Sequence, residues 1–227
     1  MSAKPLNVTL KLSNLHCVTE TDQWGGSAEP YIWTVFFKID GDLVTHNFHP
    51  TVVTTSGNQA DLPNQDVDAG ENNPIPAKLG LFNTTLKPLP LPGKEGASII
   101  GCVAVVMEQD DTAAHAIAKG HAALNAFVAA TLQKFVDKAV STGQMPTDND
   151  IKGAIANAQS KIGQAVADDL SFWEKLANQD DVIGVEVFRF TLDQIAQFPA
   201  TGHAFSKTFN ESGQWVLSGS VVGKAVG

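Results

Sequence analysis

The apolar residues of this chain change their spacing twice, and that change constrains the fold more than any other feature. From Leu6 to Leu12 they alternate (Leu6, Val8, Leu10, Leu12), and Tyr31 to Ile39 is rich in aromatic and β-branched residues, so both stretches predict strands. From about Thr112 to Ala177 alanine dominates and the spacing lengthens to three or four. Ile117, Leu124, Val128, Leu132, Phe135 and Ala139 mark one helical stripe, and Ile151, Ile155, Ala158, Ile162, Ala165 and Trp173 mark a second. Between them, STGQMPTD holds Gly143 and Pro146, and Thr147 with Asp150 three residues on reads as an N-cap with an acidic first turn. The expectation is an antiparallel helical hairpin over 112–178.

After it the β spacing returns. Val182 to Thr191 (VIGVEVFRFT), Phe205 to Phe209 and Gln214 to Val222 each read as strands, the last with Gly219 as a candidate bulge. Ahead of it, Ile99 to Met107 (IIGCVAVVM) is an unbroken apolar run of strand length, which requires cover on both faces. Residues 51–96 are loaded with Asn, Pro, Gly and Asp and predict long loops with short edge strands. The β segments on either side of the helical stretch are each too short to be a complete domain. The chain is therefore expected to be mainly β, a single antiparallel β-sandwich over 1–227 with the hairpin inserted in it.

The 227 residues carry 15 Lys and Arg against 24 Asp and Glu, a formal net charge of -9. Phosphate-backbone binding needs clustered cations, so nucleic acid is set aside as a partner. The same charge repels an anionic membrane unless a bound divalent cation offsets it. Two cysteines, Cys17 and Cys102, lie in or beside strand-like runs and read as buried thiols rather than a disulfide framework. The N-terminus has no basic segment followed by an apolar one, and no run of about 18 apolar residues occurs. The expectation is a soluble protein, cytoplasmic or released without a cleaved signal.

The acidic residues carry the functional reading. Asp22-Gln-Trp-Gly25-Gly26-Ser-Ala-Glu29-Pro30-Tyr31 stands directly before a strand. Val105-Val106-Met107-Glu108-Gln109-Asp110-Asp111 ends a core strand, and Asp180-Asp181-Val182-Ile183-Gly184 opens the next. The chain resembles the C2 domains in these three places. There the first calcium loop follows an apolar strand with an Asp, a Gly-rich turn and an Asp-Pro-Tyr. The other loop begins with acid, any residue, acid, and closes with Asp and Ile-Gly. The resemblance covers the start of the chain, 99–111 and 180–191, and Glu29 and Glu108 stand where the family usually has Asp.

That resemblance implies a C2-like sandwich whose second calcium loop has received the hairpin. It implies calcium as cofactor, held by Asp22, Glu29, Glu108, Asp110, Asp111, Asp180 and Asp181. Carboxylates converging at one sandwich end repel one another without a cation, and calcium accepts about six to eight oxygen ligands in irregular geometry. It also implies docking on a phospholipid membrane surface, with Trp24 at the loop tip entering the interface; packing of Trp24 against the hairpin explains it equally well. A membrane-active, toxin-like hairpin is one extension. The alternative is a protein-interaction or assembly module with a structural or empty calcium site.

Other chemistry finds less support. His115 and His121 are six apart, which does not place two imidazoles on one helical face for zinc, and His46 and His49 lack a third ligand nearby. Asp61 to Glu71 lacks the closing Glu of an EF-hand at the right distance, has a Pro early, and reads as a flexible acidic loop. No nucleophile elbow or phosphate-binding loop occurs, so no enzyme is expected. The oligomeric state is left open.

Overall fold

The structure, a computed structural model, describes residues 3–20, 27–58, 61–109, 114–144, 181–210 and 213–227. Among the described residues, nine strands form two antiparallel sheets. β1 (Leu6–Thr19), β4 (Asn72–Pro74), β5 (Leu81–Leu86), β8 (His203–Phe209) and β9 (Gln214–Ala225) make the first, in the order β4-β1-β9-β8 with β5 also pairing β1. β2 (Pro30–Ile39), β3 (Thr51–Thr54), β6 (Ile99–Glu108) and β7 (Asp181–Thr191) make the second, in the order β3-β2-β6-β7. The protein is a β-sandwich with a helical insertion between β6 and β7.

β1 shows why the alternation stops at Leu12 while the strand does not. Leu12 faces Gly219 and Asn14 faces Ser218, so Ser13 is an extra residue on β1. One inserted residue reverses the parity, and the inward positions pass from Leu10 and Leu12 to Leu15 and Cys17, all fully buried. The bulge therefore lies on β1, across from Gly219 rather than on its strand. Gly219 has a packing role: a Cβ there would lie 2.3 Å from the Lys11 carbonyl oxygen and 2.6 Å from the Phe205 ring.

Both central strands of the second sheet are covered on both faces. Every residue of β2 is buried, and every residue of β6 except Glu108. Ile32, Phe36, Ile100, Cys102, Ala104 and Val106 face the first sheet. Tyr31, Trp33, Val35, Phe37, Val103 and Val105 face outward into a second core. Its cover is the first arm of the insertion, α2 (Ala114–Thr142), which follows a single helical turn earlier in the chain, α1 (Ala77–Gly80). Leu124, Val128, Leu132 and Val136 recur every fourth residue and are buried on that outer face. At about 1.5–3 kcal/mol for each fully buried side chain, these four contribute roughly 6–12 kcal/mol as an upper bound. The helix is thus a third layer of the fold, and it ends at Gly143, whose positive φ of 67° and bond to the Ala139 carbonyl (2.8 Å) form a C-terminal cap. The second expected arm of the hairpin lies outside the described residues.

The loop-rich middle contains the short edge strands β3, β4 and β5, and two 3-10 turns at Gly41–Val44 and Glu95–Ala97. A short helix that the strand pattern does not announce, α3 (Leu192–Gln197), follows β7 directly. Thr191 and Gln194 close a capping box on it.

Candidate acidic site

Strand register assembles the site. At one end of the second sheet Pro30 pairs with Glu108 on the neighbouring strand, and Glu108 pairs with Asp181 on the next. The Gln109 N–H donates to the Glu29 carbonyl at 2.8 Å. Glu29, Glu108 and Asp181 thus stand at the ends of three adjacent strands, with Glu108 directly opposite Asp181 and Glu29 one residue along, opposite Gln109. The three come from widely separated places in the sequence, and the register of β6 with its two partners is what unites them. Of the remaining sequence-derived candidates, Asp22, Trp24, Asp110, Asp111 and Asp180 lie outside the described residues, as does the side chain of Asp181.

Further acids join from a loop that the sequence reading sets aside. Residues 61–71 are irregular, but they are tied to both sheets. The Cys17 N–H donates to the Glu71 carbonyl (3.0 Å) and the Gly70 N–H to the Cys17 carbonyl (2.8 Å), which fixes the loop to β1. An isolated bridge between Ala28 and Val67 fixes it to the approach to β2, and Ser27 Oγ donates to Asp68 Oδ1 at 3.0 Å. Leu62 and Val67 are buried in the core between the sheets, and the Asn73 side chain bonds the backbone of Asn64 on both its N–H and carbonyl. The Glu71 carboxylate accepts from the Asp68 N–H at 3.2 Å. This loop is a knit closure of the sandwich end, where a flexible acidic segment was expected.

The resulting field is negative. The Cys17 thiol is pushed up to about 11, first by burial and then by Glu20, Glu108, Asp68 and Glu71. Those four acids come from the residue just past β1, the end of β6 and the closing loop, so carboxylates at the ends of both sheets act on one place. Glu20 Oε2 is shut away from solvent without a hydrogen-bond partner. Lys38, Lys78, Lys87 and Lys207 form their ion pairs elsewhere, with Asp40, Asp42, Asp61 and Glu186.

Carboxylate oxygens are the donor type that calcium takes, and the Glu20 oxygen is a buried acceptor without a hydrogen-bond partner. Among the described residues, no three His, Cys, Asp or Glu side chains converge closely enough to hold an ion.

Glu20, Asp68 and Glu71 escaped the sequence reading. Glu20 sits just past an alternation that the bulge had already broken, and Asp68 and Glu71 sit in a Pro- and Gly-rich stretch with no period at all. The available signal was Val67, one apolar residue among polar ones, which anchors the loop in the core.

No protein-family model matches the chain. No curated protein matches it either. Among solved structures, two of human GIVD cytosolic phospholipase A2 align, one with methyl gamma-linolenyl fluorophosphonate and terbium chloride and one with the fluorophosphonate. Identity is 7%, the TM-scores are 0.35 and 0.36, and the alignments cover 100% of this chain and 18% of the phospholipase chain. The chain thus spans 18% of the length of those phospholipases, and the fold assignment rests on its own strand pairing. Among the described residues, no helix is long and apolar enough to cross a membrane.

Proposed function

We propose that the acidic end of the sandwich binds calcium and that the protein is a C2-like module that docks on phospholipid membranes. The observation that carries this reading is the register placing Glu29, Glu108 and Asp181 on adjacent strand ends, with Glu20, Asp68 and Glu71 acting on the same place. In the C2 resemblance these strand ends feed the calcium loops. A bound ion would bridge the loop carboxylates to lipid phosphate and offset the repulsion expected from a chain of net charge -9.

The packing of α2 bears on the toxin-like extension. Leu124, Val128, Leu132 and Val136 are already occupied against the second sheet, so a membrane-active role for this arm would require it to leave a core of its own. Docking through the acidic end is the more economical reading.

Calcium titration by isothermal calorimetry, with the melting temperature followed in parallel, tests the site. Saturable heat and a raised melting temperature are expected in the parent chain and not in an Asp110→Asn, Asp181→Asn double variant. Sedimentation with vesicles of anionic phospholipid, with and without calcium, tests the docking. Absence of heat and of any melting shift sinks the calcium reading and leaves a protein-interaction module with an empty site. Calcium binding without sedimentation sinks only the membrane step.

A further inference from the structure

His121 lies near the start of α2, where the helix first meets the sheet. Its ring packs against Trp33 with centroids 5.5 Å apart and planes at 53°. The 55–58 loop also lies against it: a Cβ on Gly57 would lie 2.5 Å from His121 Nδ1, so only glycine lets the backbone pass this close. The loop is itself tied to β2, because Trp33 Nε1 donates to the Gly57 carbonyl at 3.1 Å and Thr55 Oγ1 to the Thr34 carbonyl at 2.9 Å. The ring is therefore clasped between a fixed loop and a core tryptophan.

Within that clasp two polar atoms have no partner. His121 Nε2 and, one helical turn later, Asn125 Oδ1 are both shut away from solvent without a hydrogen bond. A neutral imidazole can leave Nε2 as an unprotonated acceptor, but an imidazolium would place an N–H donor and a net charge there with no hydrogen bond made in the closed arrangement. Burial accordingly holds His121 below its ordinary value. A cation–π attraction to Trp33 opposes this and is the weaker effect.

Among the described residues, no charge on the surrounding elements is hydrogen-bonded to the ring. Facing the ring from β2 are Trp33 and, next on the same face, Tyr31, whose hydroxyl donates to Met107 Sδ at 3.4 Å. β6 presents Val103, Val105 and Met107 on this face, with Glu108 at the strand end. The 55–58 segment (Thr55, Ser56, Gly57, Asn58) has no ionisable side chain; beyond it Asp61 is engaged by Lys78 and Ser56 and keeps one buried oxygen, Oδ2, without a hydrogen-bond partner, and the shift at His121 arises from burial with no contribution from Asp61. On α2 the ionisable residues before His121 are His115 and Lys119, whose side chains lie outside the described residues.

We propose that His121 is a proton-operated latch on the first turns of α2. Neutral, it holds the start of the helix between Trp33 and the 55–58 loop. Protonated, it leaves the clasp and the turns before Leu124 come away, while Leu124, Val128, Leu132 and Val136 keep the rest of the helix docked. These first turns continue from β6 and its acidic end, so the latch makes the helical layer beside that end sensitive to pH. The sign follows from the depressed value: the closed form binds the proton less well than the open one. Closure is strongest above the ordinary histidine value and is lost as pH falls through it toward the lower value of the closed form.

Hydrogen exchange of the full chain, corrected for intrinsic rates and followed from about pH 7.5 to 5, reads the latch directly. Opening of amides in 114–123 is expected to rise by up to about tenfold per pH unit below about 6.5, the slope of one proton, with 124–142 unchanged. His121→Phe and the neutral, polar His121→Gln should each give flat profiles, and His115→Gln should keep the parent slope. The titration of the His121 ring proton resonance should lie below about 6.5 whether or not the variants fold. A flat parent profile, an equal slope in the His121 variants, a rise that runs equally through 124–142, or an imidazole titrating above its ordinary value would each overturn the proposal.

Discussion

Lys38 is a lysine in a strand where every residue is buried, and replacing it with methionine is the most exacting test of this packing. Its ammonium reaches Asp40 Oδ2 at 3.0 Å, Asp42 Oδ2 at 2.5 Å and the Thr85 carbonyl at 3.0 Å, and Lys38 and Asp40 are 5% and 2% exposed. Removing the cation leaves two carboxylates of unequal security. Asp42 retains Lys87 Nζ at 2.6 Å, whereas Asp40 retains only the backbone N–H groups of Asp42 (3.0 Å) and Lys87 (2.9 Å). Breaking a buried ion pair costs about 3–5 kcal/mol, and the two surviving donors to Asp40 put this case near 3. For a chain of this size that is a fall in melting temperature of roughly 6–12 °C. Urea unfolding followed by circular dichroism, at constant m-value, measures it. Adding Asp40→Asn to Lys38→Met removes the stranded charge and should restore part of the loss. A single-variant cost below about 1 kcal/mol would refute the argument, because that is the value of a solvated surface pair.

Other perturbations follow from the same packing. Leu132→Ala, at a residue 4% exposed beneath α2, should cost about 2–5 kcal/mol in urea unfolding, against near zero for the exposed Val140→Ala on the same helix. Asp42 is held down to about 2 by hydrogen bonds from Lys38 and Lys87. Its folded value is depressed, so its contribution is present above pH about 4, is lost as pH falls toward 2 and amounts to about 2 kcal/mol; acid unfolding of Asp42→Asn should lack this component.

Some of this architecture was legible residue by residue. Ile99 to Met107 had to be covered on both faces, and it is. The four-residue spacing of Leu124, Val128 and Leu132 demanded an apolar surface, but periodicity says only that a helix has a sticky side, not what it sticks to. The cover that β6 needed and the surface that α2 needed proved to be the same contact. The buried cluster left a faint signal in Lys38-Ile-Asp40-Gly-Asp42, charges alternating out of an apolar strand, which only the structure resolves into a salt-bridged staple.

The amino-acid sequence by itself determined several local choices: the extended stretches at 6–12, 31–39, 99–107 and 182–191, the helical stripe through Leu124, Val128 and Leu132, and that acids stand at Glu29, Glu108 and Asp181 beside strand ends. Those choices depend on periods of two and of three to four residues, which any short window displays. Tertiary structure alone decided that Ser13 is bulged so that β1 runs on to Thr19, that residues 61–71 bring Asp68 and Glu71 to the acidic end, and that His121 is clasped by Trp33 and Gly57. Each of these depends on contacts between residues far apart in the chain, whose energies are set by register and burial and leave no period in the sequence to read.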